Sequence, residues 1–229
     1  MQLTEIVPWG RTLQEYQWMF ELTDVDLTRQ ILGCGDGPAS FNAEMTARGY
    51  SVTSIDPIYQ FSAPQIEQRV LATYNTIVSQ VDRDRHRYIW KHFRDADELG
   101  CARLAAMNTF LSDYEIGREA GRYLFQSLPN LEFTNDRFDL CVCSHLLFLY
   151  SAHLSLDFHL ASISELLRVA SEVRIFPLVQ LDGDRSPYLE SVLQFFGDRG
   201  FNLQIQPVTY EFQKGGDRML AIKRPIAIN

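Results

Sequence analysis

The chain of 229 residues carries 21 basic and 29 acidic side chains, a formal charge of −8, and 46% of it is hydrophobic. That much apolar material excludes a disordered, collagenous or low-complexity protein, because its burial can offset the entropy of ordering the chain. The acidic surplus argues against a dedicated nucleic-acid partner, which needs excess Lys and Arg to displace counterions from phosphates. Four scattered cysteines, Cys34, Cys101, Cys141 and Cys143, are too few for a disulfide scaffold, and no Cys or His spacing marks a metal site. The sequence opens without a basic-then-apolar leader, and no apolar run approaches the ~18 residues of a membrane span, so a cytoplasmic protein without a membrane partner is expected.

Residues 1–28 read as helix and loop, with Trp9, Tyr16, Trp18, Met19 and Phe20 on an aromatic-rich face. A short strand is expected at 29–32, ending in Gly33-Cys34-Gly35-Asp36-Gly37-Pro38. A helix over 38–48 follows, with Pro38 in its first turn and Gly49 just past its end. The β-branched stretch 51–55 is a second strand that ends at Asp56-Pro57. Strand, glycine turn, helix and strand make a βαβ unit with parallel strands.

Between 60 and 121 no strand is expected; helical patterns run over 64–81, 86–93 and 97–119. A connection after a strand normally takes a few residues and one helix, so this interval reads as a helical cap inserted in the core. Strands are expected again at 123–126, before Ser127-Leu128-Pro129, and at 138–144, a nearly continuous apolar run suited to a strand covered on both faces. There Cys141 and Cys143 alternate onto one buried face. A helix over 156–169 and a strand over 172–179 follow. Ser186-Pro187 starts a further helix that Gly200 ends. The last strands, 202–212 and 219–223, are joined by Gly215-Gly216-Asp217 as a hairpin turn, so the final strand runs antiparallel.

The strongest chemical signal lies in residues 31–56. Glycines in a strand-to-helix turn let backbone approach a ligand, and the helix start supplies free N–H groups. Asp56 at the end of the second strand can accept hydrogen bonds from both hydroxyls of a ribose. The glycines are spaced G-x-G-x-G, with Pro38 where a dinucleotide fingerprint has its third glycine, and no P-loop pattern exists.

With Gly33-Cys34-Gly35-Asp36-Gly37 and Asp56 in these places, the chain resembles the class I S-adenosylmethionine-dependent methyltransferases. Residues 135–150 resemble that family's fourth-strand motif, Ser127-Leu128-Pro129 its usual preface, and 165–179 its fifth-strand region. The resemblance implies an α/β fold: a three-layer Rossmann-like sandwich on a mostly parallel seven-stranded sheet, its last strand antiparallel, with a helical insertion after the second strand. It implies one domain over 1–229, with 1–28 as a helical lid and 60–121 as a helical cap. S-adenosylmethionine is the implied cofactor, bordered by Gly33, Cys34, Gly35, Asp36, Gly37, Asp56, Pro57, Ser127, Leu128 and Ser144. The implied activity is in-line methyl transfer to a small-molecule acceptor.

Two departures stand out. Many members carry an acid two positions before the first glycine, where this chain has Ile31, and Asp36 is the residue that could substitute for it. The acid often found after the third strand is also absent, since Gln126-Ser127-Leu128 stands there.

Ligands in open α/β sheets bind beyond the carboxyl ends of strands, which singles out Ser144, His145 and Tyr150. His145 reads either as a general base or as a packing histidine beside the cofactor. Tyr59 contacts cofactor or substrate, or anchors its loop in the core. Residues 82–95 interleave arginines with Tyr88, Trp90 and Phe93. An amphipathic helix with a wet basic face is favoured there over recognition of an anionic, planar substrate, for which Trp90 is the candidate contact. Two alternatives remain: a non-catalytic binding protein of the same fold, and a nicotinamide-dependent reductase. The second rests on Tyr210 and Lys214, a pair that needs a helix where a strand is expected.

Overall fold

The structure, a computed structural model, describes residues 8–225. At its centre lie β1 (Ile31–Cys34), β2 (Val52–Ile55), β3 (Tyr123–Leu124), β4 (Phe138–Ser144), β5 (Ala170–Phe176), β6 (Asn202–Pro207) and β7 (Arg218–Lys223). They form one seven-stranded sheet in the order β3-β2-β1-β4-β5-β7-β6. Neighbours pair in parallel except β7, which is antiparallel to both β5 and β6. The helices are α1 (Leu13–Phe20), α2 (Asp24–Leu27), α3 (Phe41–Ala47), α4 (Ala63–Arg83), α5 (Ala96–Glu119), α6 (Leu156–Val169) and α7 (Leu189–Gly197). This is the expected Rossmann-like three-layer sandwich. Among the described residues no helix is long and apolar enough to cross a membrane.

The apolar run of β4 follows from its double burial. Cys141 and Cys143 face the core beneath α6 and α7, and Leu140 and Val142 face the core beneath α1 and α3. The insertion after β2 contains the long antiparallel-packed helices α4 and α5, and Tyr114 of α5 holds the start of that insertion by donating to the Tyr59 and Phe61 carbonyls at 2.9 Å each.

Several boundaries differ from expectation, each for a tertiary reason. β1 starts two residues late because Arg29 is drawn into ion pairs with Asp26 and Glu172, while Cys34 still pairs with Ile55 and Cys143. Gly33 is therefore part of the strand. α3 starts at Phe41 instead of Pro38, because Gly37 takes φ +53°, a left-handed conformation that no helix start contains. The 86–93 helix is absent: after a 3₁₀ turn at Arg85–Arg87 the chain runs alongside residues 212–214, with Ile89 N–H donating to the Phe212 carbonyl at 2.7 Å. β5 ends at Phe176, since Pro177 lacks the N–H a ladder needs. α7 starts at Leu189; the Ser186 hydroxyl, paired with Ser151 at 2.6 Å, accepts the Tyr188 N–H at 3.3 Å in a turn ahead of the helix. The last two strands are joined by a long loop over 208–217, closed by Val208 N–H to the Asp217 carbonyl, where a tight glycine turn was expected.

The segment before α1 crosses directly over the glycine turn. Gly10 packs so closely on the Pro38 carbonyl that an added Cβ would collide with backbone, and Ser40 N–H donates to the Arg11 carbonyl at 3.0 Å. Gly10→Ala should lower unfolding free energy by about 1–3 kcal/mol, the scale of forced overpacking; urea denaturation at constant m-value measures it.

Candidate functional site

The strand order reverses between β1 and β4, and a crevice opens there at the carboxyl ends of the strands. It holds a cavity of about 700 Å³. Cys34, Ile55, Ser144 and Phe176, the terminal residues of four parallel strands, line its floor. Pro8, Trp9, Arg11 and Tyr16 line it from the N-terminal segment, and Leu99 and Arg103 from α5. From α4, Arg69, Thr73, Ile77 and Val81 point in, spaced along one helical face. The lid expectation covers residues 1–28, of which 1–7 lie outside the described residues.

Within the glycine turn, Asp36 bends back under β1 into the space left by the missing side chain of Gly33. Its carboxylate accepts from Tyr16 Oη at 2.8 Å and Ser54 Oγ at 2.6 Å, and Ser54 in turn accepts from Asn42 at 3.1 Å. One buried chain of hydrogen bonds thus joins α1, the turn, β2 and α3. Asp56 holds the turn from the other side, its two oxygens accepting Gly37 N–H at 2.9 Å and Ile58 N–H at 2.8 Å. Burial pushes the Asp36 carboxyl up to about 7 against its two hydroxyl donors, with the charge of Asp56 adding to the rise. Burial likewise raises Asp56 to about 6 against its two amide donors.

Of the residues singled out in the sequence, Cys34, Gly35, Asp36, Gly37, Asp56, Pro57, Ser127, Leu128, Ser144, His145 and Tyr150 all line this cavity. Gly33, Tyr59 and Trp90 do not. Gly33 lies beneath the turn, where its lack of a side chain admits Asp36. Tyr59 is buried among Phe110, Tyr114 and Tyr123, and its hydroxyl donates to the Gly37 carbonyl at 2.7 Å, so it braces the turn from behind. Trp90 packs edge-on to Tyr88 and Phe212 outside the cavity, with Arg85 over its ring.

His145 takes φ +51°, strained for a residue with a side chain, which turns its ring toward Ser144 Oγ at 2.9 Å from Nδ1. Burial, reinforced by Arg11 and Arg103, holds its pKa well below the ordinary 6.5, so the imidazole is neutral at physiological pH.

Sequence reasoning missed the charged set facing His145. Arg103 is fully buried on α5 and donates to Glu15 at 2.6 Å and to Tyr210 Oη at 3.3 Å; Tyr210 donates to Glu15 at 3.1 Å. Burial alone would raise Glu15, but the Arg103 charge and hydrogen bond hold it below the usual carboxylate range. Burial and Glu15 push Tyr210 up to about 12. A signal existed: Arg103 interrupts the apolar face of α5 formed by Leu99, Ala106, Met107 and Phe110. The reductase reading loses its basis, since Tyr210 belongs to this cluster and lies with Lys214 in a loop.

Asp36 and Asp56 set a pH dependence of stability. Both lie above the ordinary carboxylate value, so between about 4 and 7 the folded protein binds more protons than the unfolded chain. Stability therefore falls as pH rises through that window, at a limiting slope of about 1.4 kcal/mol per unit for each group. Asp36→Asn should flatten the urea midpoint between pH 5 and 7 relative to wild type.

No protein-family model matches the chain. Among curated proteins it is similar to MJ0045 of Methanocaldococcus jannaschii, itself uncharacterised, at 33% identity over 225 residues, 98% of this chain and 99% of that protein. Among solved structures it is similar to the mitomycin 7-O-methyltransferase MmcR, with TM-score 0.50 and 12% identity, over 93% of this chain and 54% of that one. Magnesium protoporphyrin IX methyltransferase from Synechocystis PCC 6803, crystallised with bound S-adenosylmethionine, gives TM-score 0.48 and 14% identity over 93% of this chain and 78% of that one. At such identities the structural likeness is one of fold.

Proposed function

Because the chain belongs to the family of MJ0045 and has the class I methyltransferase fold, we propose that it is an S-adenosylmethionine-dependent methyltransferase acting on a small-molecule acceptor. The observation that carries this reading is the placement of Asp56. Its carboxylate ends β2 at the cavity wall, pinned by two backbone amides, and each oxygen keeps lone pairs for the hydroxyls of a ribose.

The surrounding residues fit such a cofactor. Gly35 lacks the side chain that would meet Leu146 at 3.0 Å, and Gly37 opens the turn beside Asp56, so backbone lies at the cavity surface. Ser127 and Leu128 border the same end, where they would flank an adenine. Asp36 is engaged by Tyr16 and Ser54, so its part is to hold the turn in shape. When bound, the cofactor supplies the electrophilic methyl group.

The chain's own contribution is position, dryness and a place for a proton. The N-terminal segment, the cap and the 208–217 loop together exclude water from the floor formed by the strand ends. Neutral His145 faces that space and can accept a proton from an acceptor held there, its ring oriented by Ser144.

Asp56→Ala should weaken S-adenosylmethionine binding by about 1–3 kcal/mol, the scale of lost hydrogen bonds to a charged group, as read by calorimetry. In wild type the affinity should rise with pH through about 6, because the ionised Asp56 carboxylate is the better acceptor. No saturable binding below millimolar concentration would refute the cofactor assignment. His145→Ala should lower turnover by about 10²-fold or more if His145 takes the proton. A change under about tenfold at unaltered cofactor affinity assigns it to packing alone.

A further inference from the structure

Beyond His145 the cavity runs on between the cap and the 208–217 loop, and its walls there are aromatic and aliphatic. Trp9, Ile77, Val81, Leu99, Tyr88 and Phe212 supply them from five separate segments. Flat rings and branched side chains of this kind bury hydrocarbon and leave no partner for scattered polar groups.

The charges at this end are cationic. Arg11 and Arg103 both line the cavity, and their proximity is felt by His145. Glu15 neutralises Arg103. Arg11 has no carboxylate partner among the described residues: its guanidinium makes one hydrogen bond, Nη1 to the Trp9 carbonyl at 3.1 Å. Both arginines also keep a buried Nε–H without an acceptor. A guanidinium carries five donors, and one in a cavity wall with a buried Nε–H left unmet is stabilised by a planar anion that accepts two at once. The carboxylates that line the cavity, Asp36 and Asp56, belong to the glycine turn, each already holding two donors. The remaining cation, Arg69, lies exposed over Phe61. An ammonium-bearing ligand there would meet two guanidiniums and the single carboxylate of Glu15, already held by Arg103, and so a net positive charge that disfavours it.

We propose that the acceptor is an apolar carboxylic acid with a flat hydrocarbon body, its carboxylate against the Arg11–Arg103 pole and its body against the aromatic wall. The proposal rests on the methyl-transfer reading of this cavity and specifies its substrate class.

Calorimetric titration with 1-naphthoate, 1-naphthamide and 1-naphthylmethylamine tests it, on the protein alone and on protein saturated with S-adenosylhomocysteine. In both states naphthoate should bind about tenfold or more tighter than the amide, and the amine weakest of the three. Arg11→Gln should lower naphthoate affinity about tenfold and leave the amide within about threefold. The wild-type series decides the matter even if that variant folds poorly. Equal or tighter binding of the amine, or no binding of any of the three, overturns the proposal. So does an anion preference that disappears on saturation with S-adenosylhomocysteine, because the guanidiniums then serve the cofactor's own carboxylate. Failure of S-adenosylhomocysteine itself to bind counts against the cofactor reading, and the series on the protein alone still decides the ligand class.

Discussion

Arg103 can remain buried only while Glu15 and Tyr210 stand beside it, and the shape of the cavity depends on that condition. The three side chains come from α1, from α5 and from the long loop between β6 and β7. None of these segments belongs to the β1–β2 unit that carries the glycine turn. A buried ion pair with one partner removed leaves an uncompensated charge, a loss of about 3–5 kcal/mol. The N-terminal segment, α5 and the 208–217 loop are thereby held against one another, and all three line the cavity above the strand ends.

Beneath that roof the turn is kept in shape by a second buried polar set. Asp36 fills the gap that Gly33 leaves, Tyr16 and Ser54 satisfy it, and Tyr59 ties the Gly37 carbonyl to the cluster of Phe110, Tyr114 and Tyr123. Holding two carboxylates in so dry a place works against stability near neutral pH. The same desolvation makes each of them a stronger hydrogen-bond acceptor once ionised. Tyr16 belongs to both arrangements, since α1 also carries Glu15, so the closing of the cavity and the geometry of the turn are mechanically one structure.

Much of the fold was legible in the chain. The strand over 138–144 and the helix over 156–169 were readable to the residue, the first because both its faces are covered, the second because one face of its 3.6-residue period is buried. Boundaries failed where a distant partner intervened. Arg29 left the first strand for Glu172, and the 86–93 segment surrendered its helical pattern to hydrogen bonds with the 212–214 stretch. In the site, Cys34 to Gly37 and Asp56 were visible because a turn between strand and helix declares itself in local spacing. Trp90, the candidate contact in that segment, lies outside the cavity, because aromatic character says nothing about which way a segment faces.

What the sequence determined by itself was the order of the elements, the glycine turn and the acid at the end of the second strand. These follow from periods of two and 3.6 residues and from glycine's freedom at positive φ, all of them short-range properties. Only the tertiary structure decided that Asp36 turns inward, that Tyr59 braces the turn without touching the cavity, and that Arg11 and Arg103 face His145. Those contacts join residues far apart in the chain, 88 positions between Glu15 and Arg103 and 107 between Arg103 and Tyr210. A charge in a helical sequence reads as solvent-facing until the fold surrounds it and supplies its partner.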